Sequence, residues 1–598
     1  MKKNNNLITD EQLSKGRKKY YEERTKRLRS DGLGQFNYGT GQFKNFIVDP
    51  NRKELADRET INDEVDVIII GAGFGGLLTA ASLYEQGVHN FRIIEEGSDV
   101  GGTWYWNRFP GAQCDVESYI YMPLLEELAY IPTEKYARGP EILAHCKRIA
   151  YSCGVYTKAC FETCVNELRW QQDKKKWLVK TNRGDTMMCR FVCTSSGILN
   201  RPKLPNIKGL STFSGHAFHT SRWDYRYTGG SPTERMKNLT DKSVAIVGTG
   251  ATAIQCIPEV AKDAKQLYVF QRTPSSIDER NNHPTTDEWK ENLSQGWQQK
   301  RIDNFNAVVS GKVFTENMVQ DGWSSTIEMM IKKIDSVGLP DSKEEFDLLS
   351  EKVDFEKMSQ LRRRIDQTVK DKKVAEALKP WYRQWCKRPC FHDEYLHTYN
   401  RKNVKLVDTL GKGIERIKDN KILANGQEYS VDCIIFATGF DFFPDIKRRL
   451  QCEIIGLNNK ELSEKWQHGV SSLFGMHSRG FPNCFILANN QSTATINFTH
   501  TLHEQARHIA YVIHHVMSNN FDVVDVDEQA ENDWVQKILL QSSPLQAIFP
   551  ECTPGFYNNE GDHEKSLPQN GSIADTTEYF AILKSWREEG SCSGLVFS

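Results

Sequence analysis

Twice along this chain an apolar run ends in closely spaced glycines and gives way to a helix of small residues. The first copy runs from Val65–Ile70 through Gly71-Ala-Gly-Phe-Gly-Gly76 into LLTAASLYEQG, and a further apolar run follows at Phe91–Ile94. The second runs from Val244–Val247 through Gly248-Thr-Gly-Ala-Thr-Ala253 into IQCIPEVAKDA, followed by Leu267–Phe270. Strand, glycine turn and helix in that order make a βαβ unit whose helix N-terminus offers N–H groups to a pyrophosphate. In the first copy Gly71 allows the tight turn, Gly73 lets the pyrophosphate approach the backbone, and Gly76 packs helix on strand. Two such units predict an α/β fold with two Rossmann-like dinucleotide-binding domains.

The residue that follows the second strand separates the two sites. Glu95 comes after Ile93-Ile94, about 20 residues past the glycines, where a carboxylate accepts hydrogen bonds from ribose hydroxyls and repels a 2′-phosphate. The first site is therefore expected to take FAD or NAD. At the matching place in the second copy stand Gln271-Arg272-Thr273, without an acid. Arg272 can pair with the 2′-phosphate of NADPH and Thr273 can add a hydroxyl. Gly248, Thr249, Gly250, Ala251, Thr252, Ala253 and Gln255 form the turn and first helical turn expected around that cofactor. One FAD site and one NADPH site is the simplest reading.

At 598 residues the chain exceeds what one hydrophobic core holds, and two or three domains are expected. Residues 1–60 read as a polar extension with a helix near Lys15–Arg29 and a solvated, mixed-charge surface. Residues 61–205 read as the first part of an FAD domain. Residues 206–395 read as an NADPH domain with a helical insertion at about 285–385, and 396–598 as the second FAD part and C-terminal region. A formal net charge of −1 exerts no pull toward nucleic acid or an anionic membrane. No apolar run reaches the length of a membrane span. The N-terminus has neither a secretory h-region nor the composition of a transit peptide, and GLVFS is no peroxisomal address. The fifteen cysteines include no CxxC pair, so neither a metal site nor a redox disulfide is expected. Scattered thiols in a reducing cytoplasm is the expectation. Nothing in the sequence sets the oligomeric state.

Three further stretches carry a family resemblance. Gly101-Gly-Thr-Trp-Tyr-Trp-Asn-Arg-Phe-Pro-Gly-Ala-Gln-Cys-Asp115 resembles (A/G)GxWxxxx(F/Y)P(G/M)xxxD at every specified position. Phe213-Ser-Gly-His-Ala-Phe-His-Thr-Ser-Arg-Trp-Asp224 resembles FxGxxxHxxxW(P/D), and Ala437-Thr-Gly-Phe-Asp441 resembles ATG(Y/F)D, which closes the flavin domain. The chain thus looks like a type I Baeyer–Villiger monooxygenase over nearly its whole length after residue 60. Trp223-Asp224 is the discriminating pair, since N- and S-oxygenating relatives usually end the motif in Tyr or Phe.

The resemblance implies oxygen insertion beside a ketone carbonyl to give an ester or lactone. NADPH would be the reductant, O2 the oxidant, and a C4a adduct of the flavin the oxygenating species. Arg388, ahead of Tyr399-Asn-Arg-Lys-Asn-Val-Lys-Leu-Val407, falls on the family's active-site arginine, with Asp115 as its partner and Lys387 near the nicotinamide. Thr103, Trp104, Trp106, Tyr121 and Val165 would contact FAD, and Gln113 and Cys114 the nicotinamide half of NADP. His219 would organise the two domains from the linker between them rather than act as a base. Within Asn490–Phe498, Phe498 would wall the substrate pocket. The extension and the Tyr557–Gly561 run look like the branch accepting bulky or cyclic ketones. Rival readings are an N- or S-oxygenating flavin monooxygenase, a dithiol oxidoreductase, and a non-catalytic FAD/NADPH redox sensor.

Overall fold

In the computed structural model, which describes residues 8–52, 58–312, 314–441, 446–487, 490–493, 495–541, 547–562 and 568–598, both βαβ units form. The first is built on the strand Asn62–Ile70, whose last residues are buried on both faces as in a parallel sheet covered from two sides. It pairs in parallel with Phe91–Ile94 on one edge and Thr186–Thr194 on the other. Among the described residues the sheet extends to eight strands and is antiparallel only where Lys176–Thr181 runs between Val165–Gln171 and Thr186–Thr194. The helix Phe74–Glu85 is apolar nearly all round because it lies between this sheet and the long C-terminal helix Phe498–Ser518.

The second sheet has five parallel strands in the order Val404–Asp408, Gln266–Gln271, Ser243–Val247, Cys433–Phe436, His216–His219. This corrects the boundary expected at 395/396. Val404–Asp408 and Cys433–Phe436 hydrogen-bond into the NADPH-type sheet, so that unit runs past Phe436 and the Ala437-Thr-Gly turn closes it rather than the flavin domain. The helical insertion is present, as Asp287–Glu291, Trp297–Val309, Gly322–Val337, Lys343–Thr368 and Lys372–Leu378.

The N-terminal extension also departs from expectation. Its helix spans Asp10–Thr25, five residues earlier than predicted, because Thr9 and Gln12 form a reciprocal capping box. The helix stops where Arg27 turns inward, donating to the Glu23 carbonyl at 2.7 Å and to the Arg272 carbonyl at 3.2 Å. Phe36–Asn37 then pairs with Leu204–Pro205. The extension is therefore not simply a solvated surface: its inner residues Arg29, Gln35 and Phe36 line the central cavity.

Candidate active site

Both glycine turns follow one plan. Gly71 has φ 100° and a Cβ there would lie 2.3 Å from the Ser195 carbonyl oxygen; Gly248 has φ 115° and a Cβ would lie 2.4 Å from the Ala437 carbonyl oxygen. Any larger residue would be strained and would collide with the neighbouring strand's exit. The two turns open into a single cavity of about 1050 Å³. That is at the top of the range of roughly 300–1,000 Å³ for one small-molecule site. It is lined by all the predicted cofactor residues except Gly76, Ala253 and His219. Gly76 is spent on packing, since a Cβ would meet the Gly71 carbonyl oxygen at 1.9 Å, and Ala253 is fully buried beneath its helix.

Around the first turn, Glu95 ends its strand with one oxygen accepting the Ala72 N–H and the other the Gly97 N–H, both at 2.7 Å. Burial pushes its carboxyl up to about 7, against the pull of those two N–H groups. Thr103, Trp104 and Trp106 lie on the short helix Thr103–Trp106, and the Trp104 indole donates to the Tyr121 hydroxyl at 3.0 Å. Val165 completes this wall. The second signature clasps the first: Arg222 lies 3.8 Å over the Trp106 ring and the Tyr225 hydroxyl donates to the Arg108 carbonyl at 2.6 Å. Trp223 and Asp224 do not line the cavity. Trp223 is buried against Thr228, and Asp224 caps the helix Tyr225–Thr228.

His219 is fully buried at the end of its strand, opposite Phe436, with Nδ1 2.9 Å from the Ser221 hydroxyl. Burial, reinforced by Arg222, lowers its pKa to about 3, so the ring is neutral at physiological pH. It touches no cavity space.

The second turn offers a different chemistry. Thr249, Ala251 and Thr252 line the cavity, and Gln255 reaches back to accept the Gln113 N–H at 2.9 Å, tying the two units together. Arg272 meets Glu560 (Nη2 to Oε2, 2.8 Å) and the Gln35 side chain, while Lys203 lies 3.6 Å from the other Glu560 oxygen. The buried Thr273 hydroxyl has no hydrogen-bond partner among the described residues. A cationic edge beside an unpaired buried hydroxyl fits a phosphate that would supply the missing acceptor.

Lys387, which the resemblance puts near the nicotinamide, has Arg272, Glu560, Arg27 and Lys203 as its charged neighbours, and burial followed by the repulsion of Arg272 lowers it to about 8. Its backbone is extended, so successive side chains point to opposite sides and Lys387 faces away from Arg388.

Arg388 and Asp115 come together as expected, in a two-point pair with Nη2 to Oδ1 at 2.8 Å and a shorter contact from Nη1 to Oδ2. The Arg388 side chain is 41% exposed and lines the cavity. Burial opposes its charge, but the carboxylate outweighs burial and raises the arginine further above its ordinary value. Asp115, whose burial alone would raise it, is held below the usual range by Arg388 and Arg280. Cys114, beside it, is pushed up by burial and is no thiolate.

Several partners of these residues carry no assigned role in the sequence reading. Trp323, from the insertion, lies 5.0 Å from the Arg388 guanidinium and its indole donates to the Asp115 carbonyl at 2.8 Å. Arg280 bonds the Gln113 side chain, and Lys203, Gln35 and Glu560 surround Arg272. Of these only Glu560 lies in a stretch singled out from the sequence, the Tyr557–Gly561 run, and there no role was assigned to it. Tyr557 and Phe498 line the cavity, the latter as the first residue of its helix; Ala494, within the predicted pocket stretch, lies outside the described residues.

The expectation of free thiols throughout is also corrected. Cys386 and Cys552 form a disulfide, packed with Met358, Leu361 and Tyr382 and bringing together chain segments that no local spacing links. It adjoins Lys387, not the flavin-type turn, so it is not the dithiol a disulfide oxidoreductase would need there.

Residues 68–322 match the family described as pyridine nucleotide-disulphide oxidoreductase. Pentalenolactone D synthase of Streptomyces arenae is 48% identical over 97% of this chain and 98% of its own. Baeyer-Villiger monooxygenase ATR8 of Stachybotrys chlorohalonatus is 43% identical over 97% and 93%. Among solved structures, polycyclic ketone monooxygenase from Thermothelomyces thermophila superposes with a TM-score of 0.90 at 36% identity, over 98% of this chain and 99% of its own. A complex of OTEMO with FAD and NADP superposes with a TM-score of 0.71 at 27% identity, over 89% and 99%. With relatives of this identity matched end to end, and with the paired Arg388 and Asp115 set where two nucleotide sites meet, the chain belongs to the Baeyer–Villiger monooxygenases.

Proposed function

We propose that this enzyme converts bulky cyclic ketones to lactones, with Arg388 as the catalytic cation and Asp115 as its positioning partner. The chain is an FAD- and NADPH-dependent monooxygenase: FAD, reduced by NADPH, supplies the activation of O2, and the protein supplies everything that directs it. The observation that carries the residue assignment is the Arg388–Asp115 pair facing the cavity between the two glycine turns.

In this reading Gly71, Gly73, Glu95, Thr103, Trp104, Trp106, Tyr121 and Val165 would hold FAD. Gly248–Thr252 would hold NADPH, with Arg272, Thr273 and Lys387 as the residues that would take its 2′-phosphate and Gln113 and Cys114 those that would meet its nicotinamide half. Arg388, fixed by Asp115 and backed by Trp323, stabilises the negative charge that develops on oxygen as the ketone carbon is attacked. A preorganised cation in a site closed to water does this at little reorganisation cost. Asp115 does not act as a base, because its pairing with Arg388 lowers its affinity for a proton. His219, neutral and buried, is a positioning residue that holds its strand against the Ala437 turn.

The bulky-ketone assignment is supported by the names of the relatives that match along the whole chain, polycyclic ketone monooxygenase and pentalenolactone D synthase among them. The test is product analysis. Purified protein with FAD, NADPH and air is given fused-ring, monocyclic and open-chain ketones together with a sulfide, and products are identified by mass spectrometry. Lactones formed fastest from fused-ring ketones are expected. Sulfoxide alone would point to the rival oxygenases. Preference for small open-chain ketones would overturn the substrate class.

A further inference from the structure

The cationic edge of the second site already holds a carboxylate. The Glu560 side chain is 3% exposed, with Oε2 2.8 Å from Arg272 Nη2 and Oε1 3.6 Å from Lys203 Nζ. Lys387 is among its charged neighbours too, and Arg272, Lys203, Lys387 and Glu560 all line the cavity into which Gly248 opens. An anion paired with Arg272 takes the guanidinium edge that a phosphate would use.

This carboxylate is delivered by a built loop and not by a wandering side chain. The Asn558 side chain accepts the Gly555 N–H at 3.0 Å and the Gly561 N–H at 3.2 Å, and donates to the Cys552 carbonyl at 3.2 Å. The Glu560 N–H donates to the Gly555 carbonyl at 2.8 Å. Asn559 and Glu560 both sit in the left-handed region, at φ 48° and 60°, a conformation that glutamate takes up only where its surroundings impose it. The Cys386–Cys552 disulfide anchors the loop beside Lys387.

We infer that Glu560 is a placeholder for the cofactor's 2′-phosphate: it neutralises Arg272 and Lys203 before NADPH binds and yields Arg272 when the phosphate docks. This rests on the reading above that Arg272 marks the 2′-phosphate end. Glu560 thereby sets both the affinity for NADPH and the margin by which NADPH is preferred to NADH, since a ligand without the phosphate has nothing to displace it with. A cofactor-linked movement of the Gly555–Gly561 loop follows.

The test is calorimetric titration of the FAD-loaded enzyme with 2′,5′-ADP, which carries the phosphate, and with 5′-AMP, which does not. Glu560→Gln should bind 2′,5′-ADP at least roughly tenfold tighter than wild type, because a like-charge contact is removed. Its 5′-AMP affinity should not change, which also reports that the site is folded. Unchanged 2′,5′-ADP binding overturns the inference. Weaker binding also overturns it, making Glu560 a prop for Arg272. Arg272→Ala separates the two layers: if it leaves 2′,5′-ADP binding intact, the phosphate end itself is misplaced. If Arg272→Ala weakens binding while Glu560→Gln does not strengthen it, only the placeholder role fails. In the wild type, 2′,5′-ADP but not 5′-AMP should alter amide hydrogen exchange across Gly555–Gly561, and identical exchange with both ligands would overturn the displacement.

Discussion

The two nucleotide sites share a backbone and differ in almost everything laid over it. Each begins at a glycine with positive φ that faces a carbonyl from the next strand's exit, Ser195 for the first site and Ala437 for the second. At the end of the following strand the first site has Glu95, bonded to its own helix turn, and the second has Arg272, bonded to segments from both ends of the chain. Backbone geometry thus settles that a pyrophosphate can be held. In the proposed reading, one side chain at the strand end selects which dinucleotide is held. The cover differs as well: the second site is walled by Gln35, Phe36 and Glu560, which makes its occupancy sensitive to distant residues.

The largest effect should come from the residue between the sites. Arg388→Ala removes the cation that both sites converge on, and loss of one such charge-stabilising group costs about 2.7–4 kcal/mol, or roughly 100- to 1,000-fold in rate. Lactone formation should fall by that factor while flavin content, read from the visible spectrum, is retained. Lactone formation at the wild-type rate would remove Arg388 from the chemistry.

Breaking the cover comes next. Cys552→Ser removes a disulfide closing a long loop, which typically costs about 2–4 kcal/mol of stability. The variant should melt lower than the wild type without reductant, and the wild type should drop to the variant's melting temperature when reduced. Thiol counting on the denatured, unreduced chain should give thirteen free cysteines, the remainder of fifteen after one bond. Fifteen would leave the loop without a covalent anchor.

Arg272→Ala tests the difference between the sites directly. Hydrogen bonds to charged groups contribute about 1.5–3 kcal/mol, so NADPH affinity should fall by roughly 10- to 150-fold. NADH affinity and FAD content should stay where they were. An equal loss for NADH would mean Arg272 supports the fold of the second site and not the phosphate.

How much of this could be read from the chain follows the same division. The glycine turns, Glu95 and Arg272 were legible because local backbone geometry fixes each, and the Arg388–Asp115 pair because a family resemblance implied it. The strand Cys433–Phe436 was legible as a strand but was assigned to the wrong unit, since an apolar run does not state which sheet it will join. Ser243–Val247 claims it by parallel pairing across a long sequence separation. Trp323, Lys203 and Gln35 were silent for the same reason: each reaches the site from an element whose local pattern serves its own helix, strand or loop. Lys387 shows the limit at shortest range. It neighbours Arg388 in sequence, yet extended backbone sends the two cations to different ends of the cavity.

That separation gives the smallest and sharpest prediction. Lys387 is lowered to about 8, by burial first and then by Arg272, with Arg27 and Lys203 adding to the effect and Glu560 opposing it. A base with a depressed folded pKa has given up its proton between about 8 and its ordinary value while the unfolded chain still holds it. Folding stability from this group therefore rises with pH across that window. Phosphate binding runs the other way, because the anion needs the charged amine. Affinity for 2′,5′-ADP should hold level up to about pH 8 and then fall, by at most about tenfold per pH unit for one proton taken up. Lys203 is the competing source, being lowered by burial although Glu560 opposes that shift. Lys387→Met should bind more weakly at pH 7 and show a flat profile to pH 9, whereas Lys203→Met should keep the break near 8. If Lys203→Met is the flat one, Lys387 does not face the phosphate, and the opposite orientation of the two neighbouring cations would have to be abandoned.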